Sequence, residues 1–167
     1  MADDITLLTK SPEEVPDSAL APFVQVARHI GDRRDGLPER IRRAHRLLFL
    51  LRGSRLIGVA AVKKPALSYR RRVFESAGVP ERMGEFPLEF GWLFMLPDNR
   101  GGGHVHRLIE GGREAAGDKG LFSTLRSDAH GLLRISRRYG SVDLGTPYRS
   151  RDGEHMLTLI GAPPLER

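Results

Sequence analysis

The residues with the clearest chemical potential form a glycine-rich turn, Arg100-Gly101-Gly102-Gly103, between an apolar run and a segment of helical periodicity. The first turn of a helix has backbone N–H groups without intrahelical partners and carries the positive end of the helix dipole. Glycines just before a helix let phosphate oxygens approach those donors closely. The turn therefore predicts a site for a phosphate-bearing ligand, although glycine is also used where a chain simply turns tightly.

Two common nucleotide-binding motifs do not fit this turn. A Walker A loop needs a lysine followed by serine or threonine, whereas Gly103 is followed by His104 and Val105. A dinucleotide-binding turn normally follows the first strand of a repeating βαβ series, and this turn follows the fourth predicted strand. Neither a nucleoside triphosphatase nor a Rossmann dehydrogenase is expected.

Thiol and metal chemistry are disfavoured by the composition and by the histidine spacing. The chain has no cysteine, which excludes a thiolate nucleophile, a disulfide framework and a cysteine-bearing zinc site. His104 and His106 stand at positions i and i+2, which diverge on a helix, and neither they nor His130 have a carboxylate at matching spacing. No metal cofactor is expected.

The formal charge of +6 raises the question of nucleic acid binding, because lysine and arginine gain affinity by displacing counterions from phosphates. The arginines are scattered, and no aromatic residues are interleaved with them to stack on bases. Their clusters are Arg33 and Arg34, Arg42 and Arg43, Arg70 to Arg72, and Arg137 and Arg138. We favour solvated faces with attraction for a polyanionic cofactor or an acidic partner, so nucleic acid is not the expected partner.

The chain of 167 residues has the length of one domain and mixes strand and helix patterns throughout. Strands are predicted at residues 5–9, 47–51, 56–62, 88–96, 121–126, 142–148 and 155–160. Helices are predicted from a capped start at Ser11 through Ile30, over 38–45, from His104 to near Gly117, and from a cap at Ser127 or Asp128 to a stop at Gly140. Residues 65–86 are predicted to be a partly helical excursion.

No segment of the sequence is suited to a membrane or to export. The N-terminal residues Ala2, Asp3 and Asp4 are polar or acidic rather than basic and then apolar. No apolar run approaches the roughly 18 residues that a membrane span needs. We therefore expect a soluble cytoplasmic protein without a membrane partner.

Residues 93–109, with the sequence LFMLPDNRGGGHVHRLI, resemble the acyl-CoA motif of the Gcn5-related N-acetyltransferase (GNAT) superfamily. In that family a strand ends in proline and an acidic or polar pair, followed by Arg-Gly-x-Gly and an amphipathic helix. The likeness extends more loosely over residues 47–160. It implies an α/β (α+β) fold in one domain over residues 1–167, with a mixed, mostly antiparallel sheet of six or seven strands, helices on both faces and acetyl-CoA where the fourth and fifth strands splay apart.

The resemblance also implies which residues bind acetyl-CoA. Backbone groups of Phe94, Met95 and Leu96 would pair with the pantetheine arm. The pyrophosphate would be held by backbone groups of the turn and the helix start, namely those of Arg100, Gly101, Gly102, Gly103, His104 and Val105. Val105 departs from the family pattern, which usually has glycine or alanine there, and its branched side chain could crowd the phosphate.

For catalysis the resemblance points first to Glu89, where many members carry the glutamate that removes the proton of the amine. An isolated acid in a strand could instead be the exposed residue of an alternating pattern, and Glu85 is the alternative base. The family's usual proton donor is a tyrosine on the helix after the fifth strand. Its position is occupied by Ser136, and Tyr139 lies three residues later on the same predicted helix.

The resemblance thus implies an N-acetyltransferase that passes the acetyl group of acetyl-CoA directly to an amine, without a covalent enzyme intermediate. The acceptor is a small molecule or a protein or peptide amine, and Arg126 or the cluster Arg70 to Arg72 could select an acidic or phosphorylated one. Two alternatives stay open. One is a CoA-binding or interaction module with weak catalysis, motivated by Ser136 and Val105, and the other is an aminoacyl-tRNA-acetylating toxin of the same fold. The sequence also leaves open whether the chain forms a homodimer.

Overall fold

A computed structural model describes residues 4–30, 32 and 35–166. The N-terminal residues Ala2 and Asp3 and the arginine cluster Arg33 and Arg34, on which part of the sequence interpretation rested, lie outside the described residues. The chain divides into two compact units. The first comprises residues 1–64 and 90–115, and the second comprises residues 65–89 and 116–167.

Eight strands and five α-helices are found in the part of the chain that the structure describes. The strands are β1 (Ile5–Lys10), β2 (Arg46–Arg52), β3 (Arg55–Lys63), β4 (Leu88–Met95), β5 (Leu121–Arg126), β6 (Val142–Asp143), β7 (Tyr148–Arg149) and β8 (Met156–Ala162). The helices are α1 (Asp17–His29), α2 (Leu37–Arg42), α3 (Leu67–Ser76), α4 (Val105–Ala116) and α5 (His130–Arg138), and short 3-10 helices cover Pro12–Glu14, Pro80–Glu85 and Pro97–Asn99. None of these described helices is long and apolar enough to cross a membrane.

The strand count differs from prediction because the strand predicted at residues 142–148 is interrupted. Gly145 has a left-handed backbone with φ of 65°, and Pro147 has no N–H to give to a ladder. Leu144 N–H still donates to Leu159 O of β8, but residues 145–147 leave the sheet, and the predicted strand becomes the two short strands β6 and β7.

In the first unit the strands follow the order β1-β2-β3-β4, with β2 antiparallel to both β1 and β3. Leu48 and Phe49 are neighbours on β2 and so point to opposite faces of the sheet. The Phe49 ring meets Phe23 of α1 edge-on, with 5.3 Å between ring centres. On the other face, Leu48 lies so close to Gly111 of α4 that a Cβ there would be 3.2 Å from Leu48 Cδ2. Helices thus cover both faces, as the resemblance implied.

In the second unit β4 begins parallel to β5, and β8 is antiparallel to β5, β6 and β7. The core of this unit is aromatic. Phe74 of α3 stacks on Phe86 at 6.1 Å and meets Phe122 of β5 edge-on at 5.3 Å. The pairing is therefore mixed and mostly antiparallel, as expected.

Strand β4 contains a left-handed residue that the sequence did not predict. Its parallel pairing with β5 covers only Leu88 and Glu89, and three residues later Trp92 adopts a left-handed backbone with φ of 49°. For a bulky residue this conformation costs about 1–2 kcal/mol, so surrounding contacts must hold it. The regular alternation of side chains along β4 ends at this residue.

The contacts that hold Trp92 come from the segment between α1 and α2 and from β3. The indole N–H donates to Asp32 Oδ2 at 3.4 Å, and the Lys63 ammonium lies 4.7 Å from the ring centre. Asp32 in turn accepts two hydrogen bonds from Arg40 of α2, at 2.9 and 3.1 Å. We call Asp32, Arg40, Lys63 and Trp92 the Trp92 network.

Asp32→Asn is expected to lower the free energy of unfolding by about 2–3 kcal/mol, since it removes the carboxylate charge that pairs with Arg40 where the side chains of Asp32 and Arg40 are only 8% and 21% exposed. Urea denaturation measures this loss. Asp17→Asn is the matched control because Asp17 pairs with Arg42 but is 95% exposed, and it should cost less than about 1 kcal/mol. Equal losses in the two variants would contradict a stabilising role for the Trp92 network.

The two predicted helix starts had different outcomes. Ser11 is the N-cap of the 3-10 helix Pro12–Glu14, and its N–H donates to Glu14 Oε2 at 2.9 Å. The α-helix itself begins only at Asp17, because Pro16 disfavours helical backbone at Val15. The start predicted at Ser127 or Asp128 was wrong. Helix α5 begins at His130 and has no side-chain cap. The predicted caps bind elsewhere: Ser127 Oγ lies 2.8 Å from Thr158 Oγ1, and Asp128 pairs with Arg126. The predicted stop at Gly140 is confirmed by its φ of 95°.

Candidate functional site

The glycine turn is shaped by two left-handed residues just before α4. Gly101 has φ of 81° and Gly103 has φ of 77°, values that residues with a Cβ rarely adopt. A Cβ placed on either glycine would meet no atom within 4 Å. Crowding by the protein therefore does not explain the glycines, and the surface of the turn is open.

The turn also presents unused backbone donors. Arg100 N–H donates to Pro97 O, and His106 N–H donates to Gly103 O. Between them, the N–H groups of residues 101–105 have no hydrogen-bond partner among the described residues. A run of such donors at the positive end of a helix suits an anionic ligand.

Positively charged side chains border the turn within the first unit. The Arg100 guanidinium lies 5.1 Å from the Phe94 ring centre and donates to Met95 O at 3.0 Å. A guanidinium nitrogen of Arg52 lies 3.2 Å from His104 Nε2, and Arg107 donates to Ile5 O at 2.7 Å. These arginines reinforce the attraction of the turn for phosphate.

The end of β4 has fewer available backbone groups than the resemblance implied. The N–H of Leu96 donates to Ile57 O at 2.9 Å, and its carbonyl accepts from Asn99 N–H at 2.9 Å. The carbonyl of Met95 accepts from Arg100. Of the three residues expected to pair with a pantetheine arm, Leu96 thus has its N–H committed to the protein.

A cavity of about 420 Å³ lies in the first unit between α1 and the strands β3 and β4. Its lining is mostly apolar, with Val26, Val59 and Leu96 among its residues, and Gln25 and His29 of α1 add polar groups. The His29 ring meets the Phe94 ring edge-on at 5.3 Å. The cavity can accept an apolar group and offers an imidazole and an amide at its wall.

The two candidate bases lie in contrasting surroundings. Glu89 is buried in the second unit, 3% exposed, and its Oε2 accepts a hydrogen bond of 2.7 Å from the Tyr69 hydroxyl. Glu85 has a side chain that is 53% exposed and is held by two hydrogen bonds from Arg82, which lower the pKa of its carboxyl. Glu89 therefore fits the role of a base better, and the reading of this residue as an exposed strand position was wrong.

Two tyrosines near Glu89 were missed in the sequence. Tyr69 comes from α3 and Tyr148 from β7, and both pack on the aromatic core of the second unit. Burial raises the pKa of Tyr148 to about 12, the charge of Glu89 adds to this effect and Arg72 opposes it. Tyr148 therefore stays protonated at neutral pH. Of the two, only Tyr69 could have been identified from the sequence as a candidate site residue, because it is an aromatic residue next to the arginine cluster Arg70 to Arg72 in the predicted excursion.

The raised pKa of Tyr148 predicts a spectroscopic difference at alkaline pH. Subtracting the phenolate absorbance of Tyr148→Phe from that of the wild type should leave a titration centred at about pH 12. Because an unfolded tyrosine ionises near pH 10, the wild type should also lose stability as the pH rises from about 10 to about 12. The variant should lack that part of the loss. A difference titration centred near pH 10 would show that Tyr148 is not buried beside Glu89.

The residues predicted as proton donors lie at the end of α5. Ser136 is buried, 6% exposed, and its carbonyl accepts from the N–H groups of Tyr139 and Ser141. Tyr139 follows the last residue of the helix and is half-buried.

Two further expectations concern Arg126 and metals. Arg126 is bound to Asp128 by two hydrogen bonds, which lower the pKa of the Asp128 carboxyl. No cluster of three or more metal-binding side chains is found among the described residues.

The sequence matches no protein-family model and no curated protein, but solved structures match the fold. ElaA of Escherichia coli is 11% identical, with a TM-score of 0.68 over 95% of this chain and 99% of that chain. An acyl-CoA N-acyltransferase from Pseudomonas aeruginosa is 15% identical, with a TM-score of 0.64 over 95% and 99%. The protein yncA of Salmonella typhimurium, solved with its cofactor acetyl-CoA, is 14% identical, with a TM-score of 0.62 over 98% and 96%.

The chain therefore shares its fold with these three proteins. This is the GNAT fold that the resemblance of residues 93–109 implied, and the fold class expected from that motif is confirmed.

Proposed function

We propose that the chain is an acyl-CoA-dependent N-acetyltransferase that passes an acetyl group from acetyl-CoA directly to an amine. The observation that carries the proposal is the open glycine turn before α4, where five successive N–H groups are unused by the described protein. This turn lies on a fold whose solved examples include an acyl-CoA N-acyltransferase and a protein with bound acetyl-CoA. We take residues 1–167 as one acyltransferase domain that acts in the cytoplasm.

The residues of the first unit fit acetyl-CoA as a cosubstrate. The N–H groups of residues 101–105 would hold its pyrophosphate, and Arg52, Arg100 and Arg107 would add attraction. Backbone groups of Phe94 and Met95 would pair with the pantetheine arm. When bound, acetyl-CoA supplies an acetyl group activated as a thioester.

In the proposed reaction Glu89 takes a proton from the acceptor nitrogen as the new nitrogen–carbon bond forms. The carbon–sulfur bond of the thioester breaks, and Tyr139 gives a proton to the departing sulfur. Tyr139 is favoured over the buried Ser136 because a phenol is a far stronger acid than an alcohol. Transfer is direct, since the chain has no cysteine to carry the acetyl group.

The cavity beside Phe94 and Leu96 supports an acceptor with an apolar portion. Its wall has aliphatic side chains from α1 and β3, and the polar groups of Gln25 and His29 could orient that portion. Among primary amines we therefore expect those with an aliphatic or aromatic tail to be acetylated faster than short polar ones.

Calorimetric titration with acetyl-CoA tests the premise that these proposals share, namely that the chain binds acetyl-CoA. We expect heat of binding with acetyl-CoA and much weaker binding with acetylated pantetheine, because the latter lacks the pyrophosphate that the turn would hold. Absence of binding at millimolar acetyl-CoA would refute the proposed function. Equal affinity for the two compounds would refute the role of the glycine turn.

A thiol-release assay over a panel of amines then separates an enzyme from a binding module. The protein contributes no thiol background, since it has no cysteine. The module is a genuine second candidate because a buried serine occupies the position of the family's usual tyrosine. Binding of acetyl-CoA without thiol release for any amine would favour the module.

A further inference from the structure

The hydrogen bond between Tyr69 and Glu89 links an acid inside the sheet to the segment before β4. Tyr69 lies in the first turn of α3, twenty positions before Glu89 in the sequence. Its hydroxyl donates to Glu89 Oε2 at 2.7 Å, a short bond of the kind made to a charged acceptor. The residue opposite Glu89 in the parallel pair is Phe122, whose side chain is apolar.

Two further side chains, those of Tyr148 and Arg72, lie near this bond in the second unit. Tyr148 packs on the same core as Tyr69 and lies within electrostatic reach of both Glu89 and Arg72. The Arg72 guanidinium lies 5.4 Å from the centre of the Tyr69 ring. Tyr69 is thus fixed from both sides, by the core and by Arg72 on its ring, and its hydroxyl is held against the carboxylate.

We infer that Tyr69 is a positioning residue that fixes the Glu89 carboxylate for proton abstraction. This inference rests on the proposed function. A carboxylate at the end of a two-carbon side chain can rotate, and a base works only when its oxygen is aimed at the proton that it removes. The Tyr69 hydroxyl holds Oε2 in one place, and that limits the orientation of the whole carboxylate.

The same hydrogen bond favours the form of Glu89 that can act as a base. A donor to a carboxylate stabilises its charged form, which is the form that accepts a proton. Tyr69 keeps its own proton throughout, so the proton of the acceptor amine ends on Glu89.

Tyr69→Phe tests the inference because it removes the hydroxyl and keeps the ring in the core. We expect kcat to fall about tenfold with KM for acetyl-CoA unchanged. We also expect the acid limb of the kcat/KM profile to move to higher pH, because the variant loses a donor that stabilises the charged carboxylate. Ser76→Ala is the control: it removes a hydroxyl on the same helix that donates to the Arg72 carbonyl, and its profile should match the wild type.

A readout that needs no acceptor makes the test independent of the amine panel. In protein with ¹³C-labelled glutamate carboxyls, the Glu89 signal is the one absent from Glu89→Gln. Its chemical shift at neutral pH should change in Tyr69→Phe, which loses the donor to Oε2, and stay unchanged in Ser76→Ala. An unchanged chemical shift in Tyr69→Phe would overturn the inference whether or not an amine is acetylated.

Failure of the inference can be told apart from failure of the proposed function. If acetyl-CoA does not bind, or if no amine is acetylated, the proposed function is wrong. If Glu89→Gln acetylates amines at the full rate, the assignment of Glu89 as the base is wrong, and the role of Tyr69 fails with it. If Glu89→Gln is slow and Tyr69→Phe has the wild-type rate and pH profile, only the role of Tyr69 is wrong. Where both variants are slow, the double variant should be no slower than Glu89→Gln alone, since Tyr69 acts through Glu89.

Discussion

Replacement of Glu89 by glutamine is expected to lower kcat for acetyl transfer at least about 100-fold, the usual contribution of a positioned general base. Glutamine has nearly the same shape and can still accept the Tyr69 hydrogen bond, but it cannot take up the proton of the amine. The affinity for acetyl-CoA should not change, because its proposed binding groups are backbone donors of residues 101–105. Thiol release at saturating acetyl-CoA measures the first quantity and calorimetry the second.

Glu85→Gln is the matched control for this variant. Glu85 stands four positions earlier, and its exposed side chain is bound to Arg82. Its loss should leave kcat within about twofold, as is usual for an exposed surface position. A large loss of activity in Glu85→Gln with little change in Glu89→Gln would reverse the assignment of the base.

The double variant Gly101→Ala, Gly103→Ala is expected to weaken acetyl-CoA binding about 30-fold or more. Each added Cβ makes the left-handed backbone of the turn unfavourable by about 1 kcal/mol or more, and a total of about 2 kcal/mol corresponds to that factor. The new methyl groups meet no protein atom, so the turn can be kept only at this conformational cost. Calorimetry measures the affinity, and kcat at saturating acetyl-CoA should change little.

Gly153→Ala is the control for this double variant. It distinguishes a specific loss of acetyl-CoA affinity from the general loss of stability that alanine causes in a left-handed backbone. Gly153 has φ of 79°, close to that of Gly103, and stands in the turn between β7 and β8. This variant should lose stability without losing affinity for acetyl-CoA. A similar loss of affinity in both proteins would mean that the glycine turn has no special part in binding.

Features set by local sequence were predicted well. Strand β5 was predicted at residues 121–126 and found at Leu121–Arg126, since Gly120 and Ser127 bound a short apolar run on both sides. The glycine turn was predicted because Gly101 and Gly103 are needed for the backbone itself, a requirement that shows in the residue types. The choice of Glu89 over Glu85 came from the family resemblance, and the burial of Glu89 now supports it.

Features that depend on packing between distant segments were not predictable. The bond between Tyr69 and Glu89 exists because α3 packs on the core of the second unit, and no spacing in the sequence encodes it. The left-handed backbone at Trp92 is not marked by glycine or asparagine and depends on contacts from Asp32 and Lys63. The caps predicted for α5 were wrong for the same reason, since Ser127 and Asp128 bind partners other than the start of α5.

The Trp92 network has a consequence for how this sequence can change over evolutionary time. A tryptophan keeps its strained backbone only while Asp32 and Lys63 hold its ring, and Asp32 is held by Arg40. Homologous chains that lose Asp32 should therefore also lose the tryptophan, and glycine or asparagine should replace it because they adopt left-handed backbone at little cost. Positions 32, 40 and 92 are expected to covary, although sixty residues separate the first from the last.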